Sequence, residues 1–193
     1  MTAITLNLNA VVELTKEEFY QLCQQNSDLR LERNAQGEII IMPPTGGETG
    51  KRNSILLVQL WLWNEQTQIG EVFDSSTGFS LPKGGDRSPD ISWVKKSKWE
   101  ALTPQQKEKF VPLCPYFLIE LISPSDNLKN TQDKMQEYLN NGNRLGWLIN
   151  RQQKQVEIYR PEQAVETLQS PPNLSGEDVL PGFTLNLQRI WES

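Results

Sequence analysis

In the stretch GGDRSPDISWV, Asp90 follows Pro89 at the mouth of the apolar run Ile91, Ser92, Trp93, Val94. A lone carboxylate at a strand start either closes a turn or meets a partner. Glu120 poses the sharper problem. It lies between Ile119 and Leu121 in YFLIELIS, a run held between Pro115 and Pro124 with the profile of a central strand. Such a strand has apolar cover on both faces, so a carboxylate there must be salt-bridged, protonated or bound to a cation. Asp90 is expected on an adjacent strand, and two clustered carboxylates repel each other unless a cation sits between them. Hard oxygen ligands without His or Cys suit Mg2+ or Mn2+.

Lys134 follows in DNLKNTQDKMQEYLNNG, where it shares a helix face with Tyr138 at i, i+4. Directed inward, its ammonium could stabilise negative charge on a metal-bound phosphate or position a water; directed outward, it is a surface solubiliser. Glu48, in PPTGGETGKRN, stands at the start of a helix, where it could complement the dipole or contact a metal or water. The glycines there suggest a phosphate loop, but that motif needs four residues before its Gly-Lys and then Ser or Thr. Here Gly46 and Gly50 enclose three, and Arg52 follows Lys51. The nucleotide-loop reading fails.

Composition narrows the chemistry further. The chain of 193 residues contains no His, which excludes Ser-His-Asp triads, His-ligated zinc and imidazole acid–base catalysis. Cys23 and Cys114 are not spaced as a CxxC pair and read as spectator thiols. The net charge of −5 argues against a generally sticky nucleic-acid binder. Locally the balance reverses: Lys83, Arg87, Lys95, Lys96 and Lys98 outweigh Asp86 and Asp90, as a solvated loop or as a patch that guides phosphates. Residues 1–15 lack the plan of a signal peptide and no apolar run approaches membrane-spanning length, so the expected location is cytoplasmic.

These residues need elements to hold them. Thr15 and Glu18 form a capping-box signature for a helix over about 15–26. LRLERNAQGEIIIMPP reads as two strands around Gln36-Gly37. KRNSILLVQLWLWNEQ is apolar nearly all round and predicts a helix buried in the core. EVFDSSTGFSLP predicts a strand pair bent near Gly78. DISWV, YFLIELIS, LGWLIN and QVEIYR predict further strands. SKWEALTPQQKEKF reads as a helical excursion with Thr103 as a cap, and a helix over DNLKNTQDKMQEYLNNG ends at Gly142. The last segment, GEDVLPGFTLNLQRIWES, predicts a strand and a docked tail. The order predicts a mixed sheet with helices on its faces, an α/β (α+β) class.

The pieces MPPTGGETG, GEVFDSSTGFSLP, RSPDISWV, FLIELISPSD, QDKMQEYLNNGNRLGWLIN, VEIYRP and EDVLPGFTLNL resemble the Uma-two family of restriction-endonuclease-like proteins, in family order across nearly the whole chain. The resemblance implies one domain over 1–193, a PD-(D/E)xK fold with a mixed sheet flanked by helices, and a divalent-metal phosphodiesterase site. It maps Asp90 to the PD acid, Glu120 to the second acid and Glu48 to the acid of the first core helix. Ile122 fills the position of the usual Lys, and Lys134 matches a lysine moved to the following helix. Departures are Thr49, where many relatives carry His, and Asn130 and Asn150, where Asp is frequent.

The expected function is a Mg2+- or Mn2+-dependent endonuclease acting on DNA. Asp90, Glu120 and the Leu121 carbonyl would hold the metal, Lys134 would serve the transition state, and Glu48 would support a water or second metal. The expected partners are a DNA substrate and, as an option, a second copy in a homodimer; a membrane is not among them. The rival is a non-catalytic interaction or oligomerisation module that retains the nuclease fold, which the acidic balance favours.

Overall fold

A computed structural model describes residues 3–192; Met1, Thr2 and Ser193, the ends of the expected 1–193 domain, lie outside the described residues. Thr15 caps helix α1 (Lys16–Gln25): its side chain accepts from the Glu18 N–H while the Glu18 carboxylate accepts from the Thr15 N–H at 2.8 Å. Before it, β1 (Ile4–Leu6) pairs with β3 (Ile39–Met42), which pairs in turn with β2 (Arg30–Arg33). The β2–β3 turn uses Gly37 at φ +82°, a conformation that costs glycine little.

Helix α2 (Gly47–Thr67) leads into β4 (Gly70–Asp74), β5 (Phe79–Ser80), β6 (Asp86–Arg87) and β7 (Ile91–Lys95). Short helices α3 (Lys96–Glu100) and α4 (Pro104–Glu108) follow, the latter capped by Thr103 as expected. Next come β8 (Phe117–Leu121), α5 (Leu128–Asn140), β9 (Leu145–Asn150), β10 (Gln155–Tyr159) and β11 (Glu166–Gln169). The chain closes with β12 (Asn173–Ser175), β13 (Thr184–Asn186) and α6 (Gln188–Glu192). The main sheet runs β11-β10-β9-β8-β7-β4, with β8 and β9 parallel and the rest antiparallel; a second sheet runs β1-β3-β2-β6-β5. Parallel neighbours need a crossover, and α5 supplies it, returning over the sheet directly after β8.

Strand alternation divides β8 cleanly. Phe117, Ile119 and Leu121 join Leu56 and Leu60 of α2, Trp93 and Trp147 in one apolar cluster. Leu118 and Ile122 join Met135 and Tyr138 of α5 on the other face. Glu120 lies between Leu118 and Ile122 in that alternation, so it is aimed at α5.

Three expectations change. The segment around Gly78 does not make one strand pair: β4 pairs with β7 and β5 with β6, in different sheets. Asp74 closes the turn by accepting from the Ser76 N–H, and the Phe110 ring lies 2.4 Å from where a Cβ on Gly78 would stand. Helix α2 is not buried all round. Leu56 and Leu60 are inaccessible, but Val58, Trp61 and Leu62 are about half exposed, because the sheet covers only one stripe of the helix. Short strands β1, β6, β11 and β12 also went unforeseen; β6 consists only of buried Asp86 and Arg87.

Asn64 clamps α2 to the main sheet. It accepts from the Trp93 indole at 2.8 Å and donates to the Gly70 carbonyl at 2.9 Å, both buried. Gly70 is required beside it, since a Cβ would fall 2.2 Å from the Trp93 ring. Asn64→Leu strands a buried donor and a buried acceptor, a loss of about 1–3 kcal/mol for each group left unpaired. Urea unfolding should show a clearly lowered midpoint; an unchanged one would mean that the clamp carries no stability.

Candidate active site

The pairing of β7 with β8 ends at Ile91 opposite Ile119, so Asp90 stands opposite Glu120 one residue beyond. Here a side chain takes over from the strand. The Leu121 N–H donates to Asp90 Oδ2 at 2.9 Å, and Asn53 Nδ2 of α2 donates to Asp90 Oδ1 at 3.1 Å. In a strand the N–H and C=O of one residue point to the same neighbour, so the Leu121 carbonyl faces the Asp90 side.

Lys134 points inward. Its Nζ lies 2.8 Å from Glu120 Oε1 and 2.9 Å from Glu32 Oε1. Tyr138, one turn further along α5, donates to Glu120 Oε1 at 3.0 Å. By contrast Lys129 and Asp133 pair with each other in solvent, as their helical position predicts. Glu32 of β2 also accepts from the Ser88 N–H at 3.0 Å and from Arg87 at 3.1 Å, and Arg87 bonds Glu137 of α5 at 2.5 Å. The network therefore runs from α5 through β6 and β2 back to α5 and β8.

Glu48 stands apart from this network in its contacts. It lies in the first turn of α2, its side chain 64% exposed, paired with Arg52 at 3.0 Å and Lys51 at 3.8 Å.

A family model described as "Uma2: Putative restriction endonuclease" matches residues 16–188. The chain belongs to the Uma2 family. The fold is also that of a crystallised protein from Anabaena variabilis ATCC 29413, described as "a putative nuclease belonging to DUF820". The TM-score is 0.77 at 21% identity, over 92% of this chain and 97% of the other. Comparison with curated proteins finds no match.

In this Uma2 member the electrostatics follow from burial. Burial pushes the Glu120 carboxyl up to about 7; Lys134 draws it down, while Asp90 and Glu32 push it higher. Burial likewise raises Asp90, against the Leu121 N–H. Burial also opposes ionisation of Glu32, but Lys134 and Arg87 together hold its carboxyl below the ordinary range. Burial works against the Lys134 charge too, yet Glu120 and Glu32 keep the ammonium above its usual value. The cysteines take no part. Burial pushes Cys23 to about 11 and Cys114 to about 12, which leaves both as inert thiols.

The donor set fits a hard divalent ion in one specific manner. Among the described residues no three acidic or Cys side chains gather as a ready-made cage. Mg2+ does not need one, since it keeps several waters and commonly takes one or two carboxylates plus substrate oxygens. Asp90, Glu120 and the Leu121 carbonyl offer that smaller set. Asn53 Oδ1, buried beside Asp90, has no hydrogen-bond partner among the described residues and would be an acceptor for a water on such an ion.

The basic stretch from Lys83 to Lys98 does not form one patch. Arg87 is 5% exposed and bound in ion pairs. Lys95 ends β7 and Lys96 opens α3 at the far end of the strand, about 16 Å from Asp90 at roughly 3.3 Å per residue. Among the described residues no helix is long and apolar enough to cross a membrane. Sequence reasoning missed Glu32, Arg87, Glu137 and Asn53; the only available signal was the alternation in LRLER, which left the burial of Glu32 undecided.

The raised Glu120 carboxyl has a pH signature. Its ordinary value is 4.5 and its folded value about 7. The protonated form is therefore favoured by folding, and this contribution is full below 4.5 and lost as pH rises through about 7. In metal-free buffer, the difference in melting temperature between wild type and Glu120→Gln should shift against the wild type across that window. A difference that stays level from pH 4.5 to 7.5 would remove the shift.

Proposed function

We propose that the protein is a Mg2+- or Mn2+-dependent endonuclease that hydrolyses DNA phosphodiester bonds. The observation that carries this reading is the inward Lys134. A helix-borne ammonium meets Glu120 at 2.8 Å, although Ile122 fills the strand position two residues after that acid. Asp90, Glu120 and the Leu121 carbonyl would hold the ion, which when bound activates water and offsets charge on the phosphate. Asn53 and the Leu121 N–H fix the Asp90 carboxylate so that it meets the ion without reorganising. Lys134 supplies a positive charge beside the phosphate as negative charge develops there. Exposed Glu48, at the head of α2, would hold a water or second ion.

The rival reading, an interaction or oligomerisation module on the nuclease fold, draws on the same ion pairs. Lys134 bridging Glu120 and Glu32 is also what a purely structural network would show.

Nicking of supercoiled plasmid in Mg2+ or Mn2+, with a chelator control and a parallel RNA substrate, separates the two. Wild type should nick DNA only with the metal. Lys134→Met keeps the aliphatic stem and should lower the rate by about 10²–10³, the loss typical of one preorganised electrostatic contact, while folding and binding Mn2+ normally or better. Full cleavage by that variant would remove Lys134 from the chemistry, and an inert wild type would favour the module.

A further inference from the structure

Lys134 faces two carboxylates at nearly equal distance, and their surroundings differ. Glu32 is 3% exposed and held at both oxygens by groups other than Lys134: Oε1 by the Ser88 N–H at 3.0 Å and Oε2 by Arg87 at 3.1 Å. Arg87 is itself anchored by Glu137. Glu32 therefore has a fixed position that does not depend on Lys134. Glu120 uses one oxygen, Oε1, for both Lys134 and Tyr138, and lies opposite Asp90 across the β7–β8 pair. A divalent ion drawing on Asp90 and Glu120 would face the Lys134 ammonium across a shared carboxylate, and like charges that close repel strongly in a low-dielectric setting.

We infer that Glu32 is a positioning residue that retains the Lys134 ammonium when a divalent cation takes over Glu120, so that metal and lysine occupy the site together instead of competing for one carboxylate. The inference rests on the nuclease reading for its metal and goes beyond it in assigning Glu32. Lys134 keeps its proton throughout. What changes is its share of contact, from Glu120 and Glu32 jointly to Glu32 chiefly. The second sheet then has a function at the site, because β2 carries Glu32 and β6 carries the Arg87 that fixes it.

The test is a double-mutant cycle read by Mn2+ binding, with free Mn2+ followed by electron paramagnetic resonance on wild type, Glu32→Gln, Lys134→Met and the double variant. Glu32→Gln leaves Lys134 with Glu120 alone and should weaken Mn2+ by about 10- to 100-fold, the range for residues that orient metal ligands. Lys134→Met should bind Mn2+ at least as tightly as wild type. Adding Glu32→Gln to Lys134→Met should change affinity by less than about threefold, since no lysine remains to be held. An equal loss in both backgrounds would mean that Glu32 acts through its charge alone, and would overturn the inference. Weaker binding by Lys134→Met would do the same.

Should Glu32→Gln fail to fold, Glu32→Asp keeps the charge and withdraws the carboxylate by one methylene. It should weaken Mn2+ only when Lys134 is present, and equal loss with or without Lys134 again overturns the assignment. Mn2+ binding with the expected coupling but no DNA cleavage would refute the nuclease and leave the role of Glu32 standing. No Mn2+ binding by wild type would refute the metal site and this role with it.

Discussion

Burying the Glu120 carboxylate inside the central strand is the constraint on which the rest of the structure depends. A lone carboxylate at 7% exposure would be destabilising by several kcal/mol if ionised without a partner. The partners come from elsewhere in the chain. Lys134 and Tyr138 reach it from α5, Glu32 reaches Lys134 from β2, and Arg87 links Glu32 to Glu137 on α5 again. The loop of charges ties the second sheet to the helix that crosses the first. Buried ion pairs often stabilise no better than well-packed apolar residues of similar volume, so stability alone is a weak reason for this network to exist. Its position beside Asp90 is a stronger one.

The two faces of the main sheet divide the work. On the α2 face the packing is apolar and aromatic: Phe117 meets Trp147 edge-on at 4.7 Å, and Trp147 stacks with Phe183 at 6.3 Å. The β12–β13 hairpin is fastened there by Gln59, which exchanges two hydrogen bonds with the Asn186 backbone at 2.8 and 3.1 Å. On the α5 face the apolar cluster is smaller and gives way to the charged network. Asp90 sits where these regimes meet, tied to α2 through Asn53 and to β8 through the Leu121 N–H. The end of the β7–β8 ladder therefore creates the acidic pair, because a side chain substitutes for the next strand residue as acceptor.

What was legible in the sequence follows the range of the interactions concerned. Asp90 and Glu120 could be paired because one heads an apolar strand and the other interrupts its neighbour, and adjacent strands bring such carboxylates together. Lys134 and Tyr138 shared a face by helical period alone, and the Thr15 and Thr103 caps are local by nature. Glu32 and Arg87 could not be found in this way. Each sits in a short polar segment that resembles a solvated edge, and only the docking of one sheet against α5 buries them. The same long-range dependence explains α2, whose apolar residues surround the helix while the sheet covers one stripe. Val58, Trp61 and Leu62 are ordinary core residues by sequence and half-exposed by topology.

A lysine carried by a helix is positioned differently from one carried by a strand. A lysine at position 122 would project from β8 on the same face as Glu120, so the strand itself would set their spacing. Ile122 instead packs in the apolar cluster with Leu118, Met135 and Tyr138. Lys134 arrives from above the sheet, and its distance to Glu120 depends on how α5 lies. Two contacts settle that: Met135 and Tyr138 in the cluster below, and Glu137 bonded to Arg87 at the side. Glu32 then restrains the ammonium, which a flexible four-carbon stem would otherwise leave free to wander. A strand-borne lysine needs no such holder. A helix-borne one does, and Glu32 of β2 provides it, so a strand remote in sequence from Asp90 and Glu120 becomes part of the geometry of the site.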